Sequence, residues 1–115
     1  MGTKTISPLR YPGGKSKLAR PIWELLVLNC LDSGAYYEPF AGGGGVGLHL
    51  ADSCPDLKVF LNDADVRIYS FWRACLDNPE LFRERISEIP LTLEEWDRQR
   101  EIVDHPTGVD QFELG

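Results

Sequence analysis

"EPFAGGGGVGLHL", residues 38–50, places G-x-G-x-x-G at Gly42, Gly44 and Gly47, after a segment that reads as a strand and at the start of one that reads as a helix. Glycine has a physical reason here. Without Cβ it permits positive φ, and it lets a ligand lie directly on the backbone. By itself the pattern is weak, because a tight turn or a flexible linker carries it equally well. Its surroundings strengthen it: 21 residues beyond Gly42 a second strand ends in Asn62-Asp63, where an acidic side chain can take the two hydroxyls of a ribose.

Working outward, Leu18, Ile22, Leu25 and Leu26 fall at i, i+4, i+7 and i+8 and predict an amphipathic helix over 17–31, with Pro21 in its first turn or kinking it. "AYYEPF" (35–40) and "LKVFLND" (57–63) read as strands on either side of the helix that the glycine run opens. Ile68, Phe71, Trp72, Cys75 and Leu76 share one face of a third helix, which makes the two aromatics core residues before base-stacking ones. Asn78-Pro79 supplies a cap and a first-turn proline for a fourth helix to about Ile89. Thr92 and Glu95 form a capping box, each satisfying a free amide of the other, and start a fifth helix with Leu93, Trp96 and Val103 on one side. Its "EEWDRQREIVD" stretch mixes both signs of charge and reads as a solvated face; the rest is a polar tail.

The order helix, strand, glycine loop, helix, strand begins an α/β fold with a parallel sheet. Two strands do not make a stable sheet, and nothing after Glu80 reads as another. The expectation is an N-terminal portion of a larger domain, or a chain whose sheet is completed by self-association or by a C-terminal partner chain.

A composition 43% apolar and 10% aromatic is globular, and 115 residues suit one modest domain. The formal net charge is -6, yet the first twenty residues carry five basic groups and no acid. Bulk electrostatics therefore cannot hold nucleic acid; any contact with phosphate or carboxylate falls to the opening segment, whose plainer reading is a solvated basic terminus. Cys30, Cys54 and Cys75 are too widely spaced for a C-x-x-C site and odd in number, which suits a reducing, cytoplasmic setting. His49 and His105 lie far apart without partner cysteines, so no metal site is expected. There is no apolar run of roughly eighteen residues and no signal-peptide core, so no membrane partner is expected. Met1-Gly2 lacks the hydroxyl residue that myristoylation asks for at position 6, where Ile6 stands.

The choice of ligand turns on Glu38. A dinucleotide seats its pyrophosphate on the helix N-terminus, and a carboxylate beside the loop repels it. The same carboxylate suits S-adenosylmethionine, which carries an ammonium and a sulfonium and no phosphate. A nucleoside triphosphate is excluded too: "GGKS" (13–16) looks like the end of a P-loop, but Leu9 stands where the first glycine belongs and no strand precedes it.

"PLRYPGGKSKL" (8–18), "YYEPFAGGGGVGL" (36–48) and "VFLNDADVRIYSFW" (59–72) together resemble, in identity, order and spacing, the Dam-like class of adenine-specific DNA methyltransferases. The resemblance implies a Rossmann-like S-adenosylmethionine-dependent fold, with residues 1–77 as its cofactor-binding half and 78–115 as a helical segment starting a target-recognition region. It implies that Tyr11, Pro12, Gly13, Gly14 and Lys15 fold over the cofactor, Lys15 meeting its carboxylate. Glu38, Phe40, Gly42 and Gly44 would line the methionine and sulfonium end, and Asp63 would accept from the ribose. The implied partner is double-stranded DNA, from which the target adenine is flipped out; Arg10, Lys17 and Arg20 are available for phosphate, though each singly reads as solvated. One departure matters. The family's Asp/Asn-Pro-Pro-aromatic motif, which holds the adenine amine, is absent, since none of the eight prolines is adjacent to another. No catalytic residue is expected within 1–115. The alternatives are a cofactor-binding or regulatory module without methyl transfer and, disfavoured by Glu38 and the opening block, a nicotinamide-dependent oxidoreductase fragment.

Overall fold

Two short strands, β1 (Gly34–Glu38) and β2 (Leu57–Leu61), pair in parallel from Gly34 opposite Leu57 to Glu38 opposite Leu61 in the computed structural model, which describes residues 7–114 apart from the side chains of Gln111 and Phe112. Parallel pairing needs a crossover long enough to return the chain to the same end of the sheet. Here it is α2 (Gly45–Ser53). α1 (Ala19–Leu28), entered through a 3₁₀ turn over Ser16–Leu18, packs against α2. The chain divides into two compact units, Met1–Asp63 and Ala64–Gly115.

In the first unit Val46 and Leu50 of α2 are fully buried and join Ala19, Cys54 and Leu57, with Ile22, Trp23, Leu26, Tyr36 and Val59 packed around them. Each fully buried Val or Leu contributes roughly 1.5–3 kcal/mol relative to leaving it exposed. The buried side of α1 is thus Ala19, Ile22, Trp23 and Leu26, whereas Leu18 and Leu25, expected on it, are 50% and 60% exposed. The small Ala19 sits in the core and the large Trp23 meets His49 of α2 edge-on, at 6.3 Å between ring centres. α1 also stops earlier than the expected 31. Leu31 N donates to Leu26 O and Cys30 N to Val27 O, with Cys30 at φ +54, which is a Schellman motif built on a non-glycine residue. β1 ends at Glu38, whose carbonyl still accepts from Asn62 N; beyond it Asn62 O takes its donor from Ala41 N, one residue past the regular ladder position.

The second unit contains α3 (Val66–Asp77), α4 (Pro79–Glu88), α5 (Leu93–Asp104) and the short α6 (Gln111–Leu114). Asp65 caps α3, accepting from Arg67 N at 3.0 Å, and the Arg67 guanidinium beside it holds its carboxyl below the usual range. Asn78 caps α4 through Leu81 N at 3.1 Å, with Pro79 in the first turn as the sequence predicts. Only half of the expected capping box forms at α5. The Thr92 hydroxyl accepts from Glu95 N at 3.2 Å, but the Glu95 carboxylate turns to Arg98 and Gln99, and Thr92 N donates to Pro90 O instead. Leu93 and Trp96 are 79% and 58% exposed, and the half-buried side of α5 is Glu95, Gln99, Ile102 and Val103. Trp72, Ala74 and Phe82 are buried, and Phe71 meets both Trp72 and Phe82 edge-on. Leu76, expected on that face, lies 69% exposed, while the tail read as merely polar folds into α6 and buries Leu114.

Among the described residues no helix is long and apolar enough to cross a membrane, and no group of three or more His, Cys, Asp or Glu is placed to hold a metal.

Candidate functional site

The opening block builds a turn before it builds a helix. Gly14 N donates to Tyr11 O at 3.1 Å, and Gly13 sits at φ +76 behind Pro12, a type II turn in which proline presets the second residue and glycine takes the positive φ of the third without strain. Lys15 follows and leads into the 3₁₀ turn and α1. Opposite it the glycine loop leaves β1 with Gly42 at φ +49 and Gly44 at φ +62, Gly44 being the residue from which α2 starts.

Between the two lies a cavity of about 640 Å³ lined by residues 7–16, Glu38 and residues 40–45. The structure brings Tyr11, Pro12, Gly13, Lys15, Glu38, Phe40, Gly42 and Gly44 together around it, from segments some thirty positions apart in the chain. Asp63 is the expected site residue that does not line it. Its Oδ2 accepts from Gly42 N at 2.9 Å, just beyond the point where Ala41 N donates to Asn62 O and Asn62 N to Glu38 O. The carboxylate thus prolongs the β1–β2 ladder by one bond and fastens the glycine loop to the end of β2.

Glu38 is fastened as well. Its Oε2 accepts from Gly47 N, in the first turn of α2, at 2.9 Å. Partial burial raises its pKa; the Gly47 hydrogen bond and the nearby Lys15 charge oppose that rise. Gly47 has a steric reason to be glycine: a Cβ there would lie 2.6 Å from Glu38 Oε2 and 2.6 Å from Leu61 Cδ2. The third glycine of the motif therefore lets α2 sit close on the strands, and the protein's own carboxylate takes the place at the helix N-terminus that an anionic ligand would otherwise use.

Sequence reasoning missed Ser7, Leu9 and Ser16, which also line the cavity. The Ser7 hydroxyl bonds the Gly43 carbonyl and accepts from Leu9 N at 3.3 Å, and Ser16 packs on Gly45. The available signal was the length of the glycine run, since the motif does not require Gly43 or Gly45. Of the residues considered for phosphate, Arg10 lines the cavity, Lys17 is exposed, and Arg20 pairs with Glu24 at 2.9 Å.

A parallel strand pair with a glycine loop at the strand ends, and a cavity there lined by Glu38, has the arrangement in which α/β proteins commonly hold small ligands. Residues 11–104 match the model of the D12 class N6 adenine-specific DNA methyltransferases, and the chain belongs to that family. The match begins at Tyr11 and runs through α5, past the three blocks that carry the resemblance in the sequence. The family's reaction is methylation of adenine N6 in DNA, which as a methyl transfer implies S-adenosylmethionine. No curated protein and no solved structure matches the chain.

Proposed function

We propose that this chain supplies the cofactor-binding half of an adenine-N6 DNA methyltransferase and holds S-adenosylmethionine in the cavity between the opening turn and the glycine loop. The observation that carries this reading is the placing of Glu38 and Lys15 on one cavity, with Glu38 bound to Gly47 N at the start of α2. A carboxylate and an ammonium suit the opposite charges of an amino-acid end. A phosphate at the same helix start would meet a carboxylate already there.

In this reading Lys15 takes the ligand carboxylate, and Glu38 faces its ammonium and sulfonium along with Phe40, Gly42 and Gly44. Tyr11, Pro12 and Gly13 close the site from above. An ionised carboxylate offers lone pairs to several donors, so Asp63 can hold Gly42 N and accept from ribose hydroxyls. The bound cofactor supplies an electrophilic methyl group; these residues bind and orient it and exclude water. The base-holding groups lie outside residues 1–115, in the remainder of a Rossmann-like domain or in a partner chain, and residues 78–115 begin the target-recognition region.

Double-stranded DNA is the macromolecular substrate. Residues 64–115 carry six basic and twelve acidic groups, residues 1–63 six of each, so phosphate contacts from this chain belong to the opening segment around Arg10 and Lys17. A cytoplasmic setting follows from that substrate. The missing Pro-Pro pair favours a second reading, a cofactor-binding module without methyl transfer. Calorimetric titration with S-adenosylmethionine, its demethylated product and NAD tests the shared core of both. Binding of the first two is expected, and tighter binding of NAD would overturn it. Adenine methylation by the protein carrying all its chains separates the two readings.

A further inference from the structure

Four consecutive glycines exceed what the loop motif asks for, and the chain's own opening segment accounts for the excess. A Cβ on Gly43 would lie 3.2 Å from the Leu9 carbonyl oxygen and 3.2 Å from Tyr11 Cβ, and one on Gly45 would be 3.2 Å from both Cα and N of Ser16. Gly42 also faces protein: its Cβ would stand 2.9 Å from Cδ1 and Cε1 of the Tyr11 ring. Residues 7–16 therefore run along the glycine loop as a strap, touching it so closely at Gly42, Gly43 and Gly45 that a side chain at any of the three would have to displace it.

We propose that this strap is a lid on the cavity and that Tyr11 is the side chain that keeps it shut, so that a ligand reaches Gly42 only once the Tyr11 ring has left it. The strap is pinned at both ends, by the Ser7 hydroxyl on the Gly43 carbonyl and by Ser16 against Gly45. Its middle is built to move. Gly13 has no atom within 4 Å of where a Cβ would be, and Gly14 N closes the turn on Tyr11 O, so Tyr11 and Pro12 form one small unit that can swing on the Gly13–Gly14 backbone without meeting other atoms at Gly13. Tyr11 itself is 43% exposed, and Cδ1 and Cε1 of its ring lie against Gly42. Pinned ends, a glycine hinge and one aromatic contact are the parts of a gated loop. The ring covers the backbone of Gly42, which ligand binding in the proposed site requires. The identity of the ligand rests on the proposed function; the movement of the strap does not.

The test has a ligand-free arm and a ligand arm, on the wild type and the Tyr11→Ala, Tyr11→Phe and Ser7→Ala variants, each first checked for an intact thermal transition. Without ligand, hydrogen exchange of the peptide spanning residues 42–46 should be faster in Tyr11→Ala and Ser7→Ala than in wild type, and unchanged in Tyr11→Phe, which keeps the ring. Equal exchange in Tyr11→Ala and wild type would overturn the lid, whatever the ligand proves to be. With S-adenosylmethionine in stopped flow, Tyr11→Ala should bind and release faster, each by about tenfold, because removing a gate speeds both directions. Faster release at an unchanged binding rate would make Tyr11 a lining residue and overturn its role as the gate. Should wild type bind no S-adenosylmethionine, the ligand assignment fails, and the exchange arm still decides whether the strap is a lid.

Discussion

Glu38 accepts a hydrogen bond from Gly47 N at 2.9 Å and lines the same cavity as Lys15, so one carboxylate both ties down the first turn of α2 and supplies the negative charge of the cavity wall. These two duties can be separated. Glu38→Gln keeps an acceptor for Gly47 N and loses the charge, so the fold should persist while S-adenosylmethionine binding weakens by about 1.5–3 kcal/mol, the usual contribution of a hydrogen bond to a charged group. Calorimetry alongside thermal melting reads both. Unchanged affinity would remove Glu38 from the ligand's cationic end.

The same residue makes stability depend on pH. Burial raises the pKa of Glu38 in the folded chain, so between its ordinary value and the raised one the folded state binds more protons than the unfolded state. Stability from this group is then present below the ordinary glutamate range and is lost as pH rises through the folded value. Denaturant melts across that window should show the decline in wild type and a flatter profile in Glu38→Gln.

Gly47→Ala sets two effects against each other. Alanine is favoured over glycine in a helix by about 0.8–1 kcal/mol. Against this, the added Cβ would lie 2.6 Å from Glu38 Oε2 and from Leu61 Cδ2 and 3.2 Å from Val59 Cγ1, and overpacking of that kind typically costs about 1–3 kcal/mol. The steric term wins where the strand side chains are held by the core, so chemical denaturation should show net destabilisation. A more stable variant would mean that α2 can move away from the sheet at no cost.

Much of this was legible beforehand because it is local. Asn78-Pro79 and Thr92 announce their helix starts within four residues, and each cap forms. The buried face of α1 was not legible: Ile22, Trp23, Leu25, Leu26, Val27 and Leu28 are all apolar, and a helix so rich in apolar residues offers more than one face to a core. Its packing against α2 decides between them. Nor does any local rule tie Ser7 to Gly43, 36 residues away, so the glycine loop reads as a ligand cradle while its contacts with the strap go unseen. The α5 apolar residues fail for a third reason: spacing reports which side chains share a face, but not that the face is covered.

Cys30 offers a test of the backbone alone. It sits at φ +54 in the turn that ends α1, a conformation that costs an L residue with a Cβ about 1–2 kcal/mol and glycine far less. Cys30→Gly should therefore leave the fold unchanged and raise stability by up to about 1 kcal/mol, after the extra chain entropy of glycine in the unfolded state is deducted. Denaturation midpoints of the two proteins decide it, and a lower midpoint for Cys30→Gly would mean that the cysteine side chain contributes more than its backbone strain costs.

The outer face of the sheet supports the last prediction. Tyr37 and Phe60, paired in register across β1 and β2, stack with ring centres 4.7 Å apart, yet they remain 68% and 46% exposed. A parallel sheet is ordinarily covered on both faces, and a two-stranded one also leaves strand edges open to pairing. Residues 1–115 by themselves should accordingly associate, with each other or with a C-terminal partner, and should transfer no methyl group to duplex DNA, because the Pro-Pro motif that holds the adenine amine is not among them. Light scattering should show particles larger than a monomer, and Tyr37→Ser with Phe60→Ser should shrink them if this face is the one that associates. Tritiated S-adenosylmethionine with adenine-containing duplex, run beside a longer protein bearing the downstream motif, should label DNA only in the second case. Sequence-specific labelling by a monomer of residues 1–115 would mean that a different set of acceptors holds the adenine, and the division between a cofactor-binding half and a base-holding half would have to be given up.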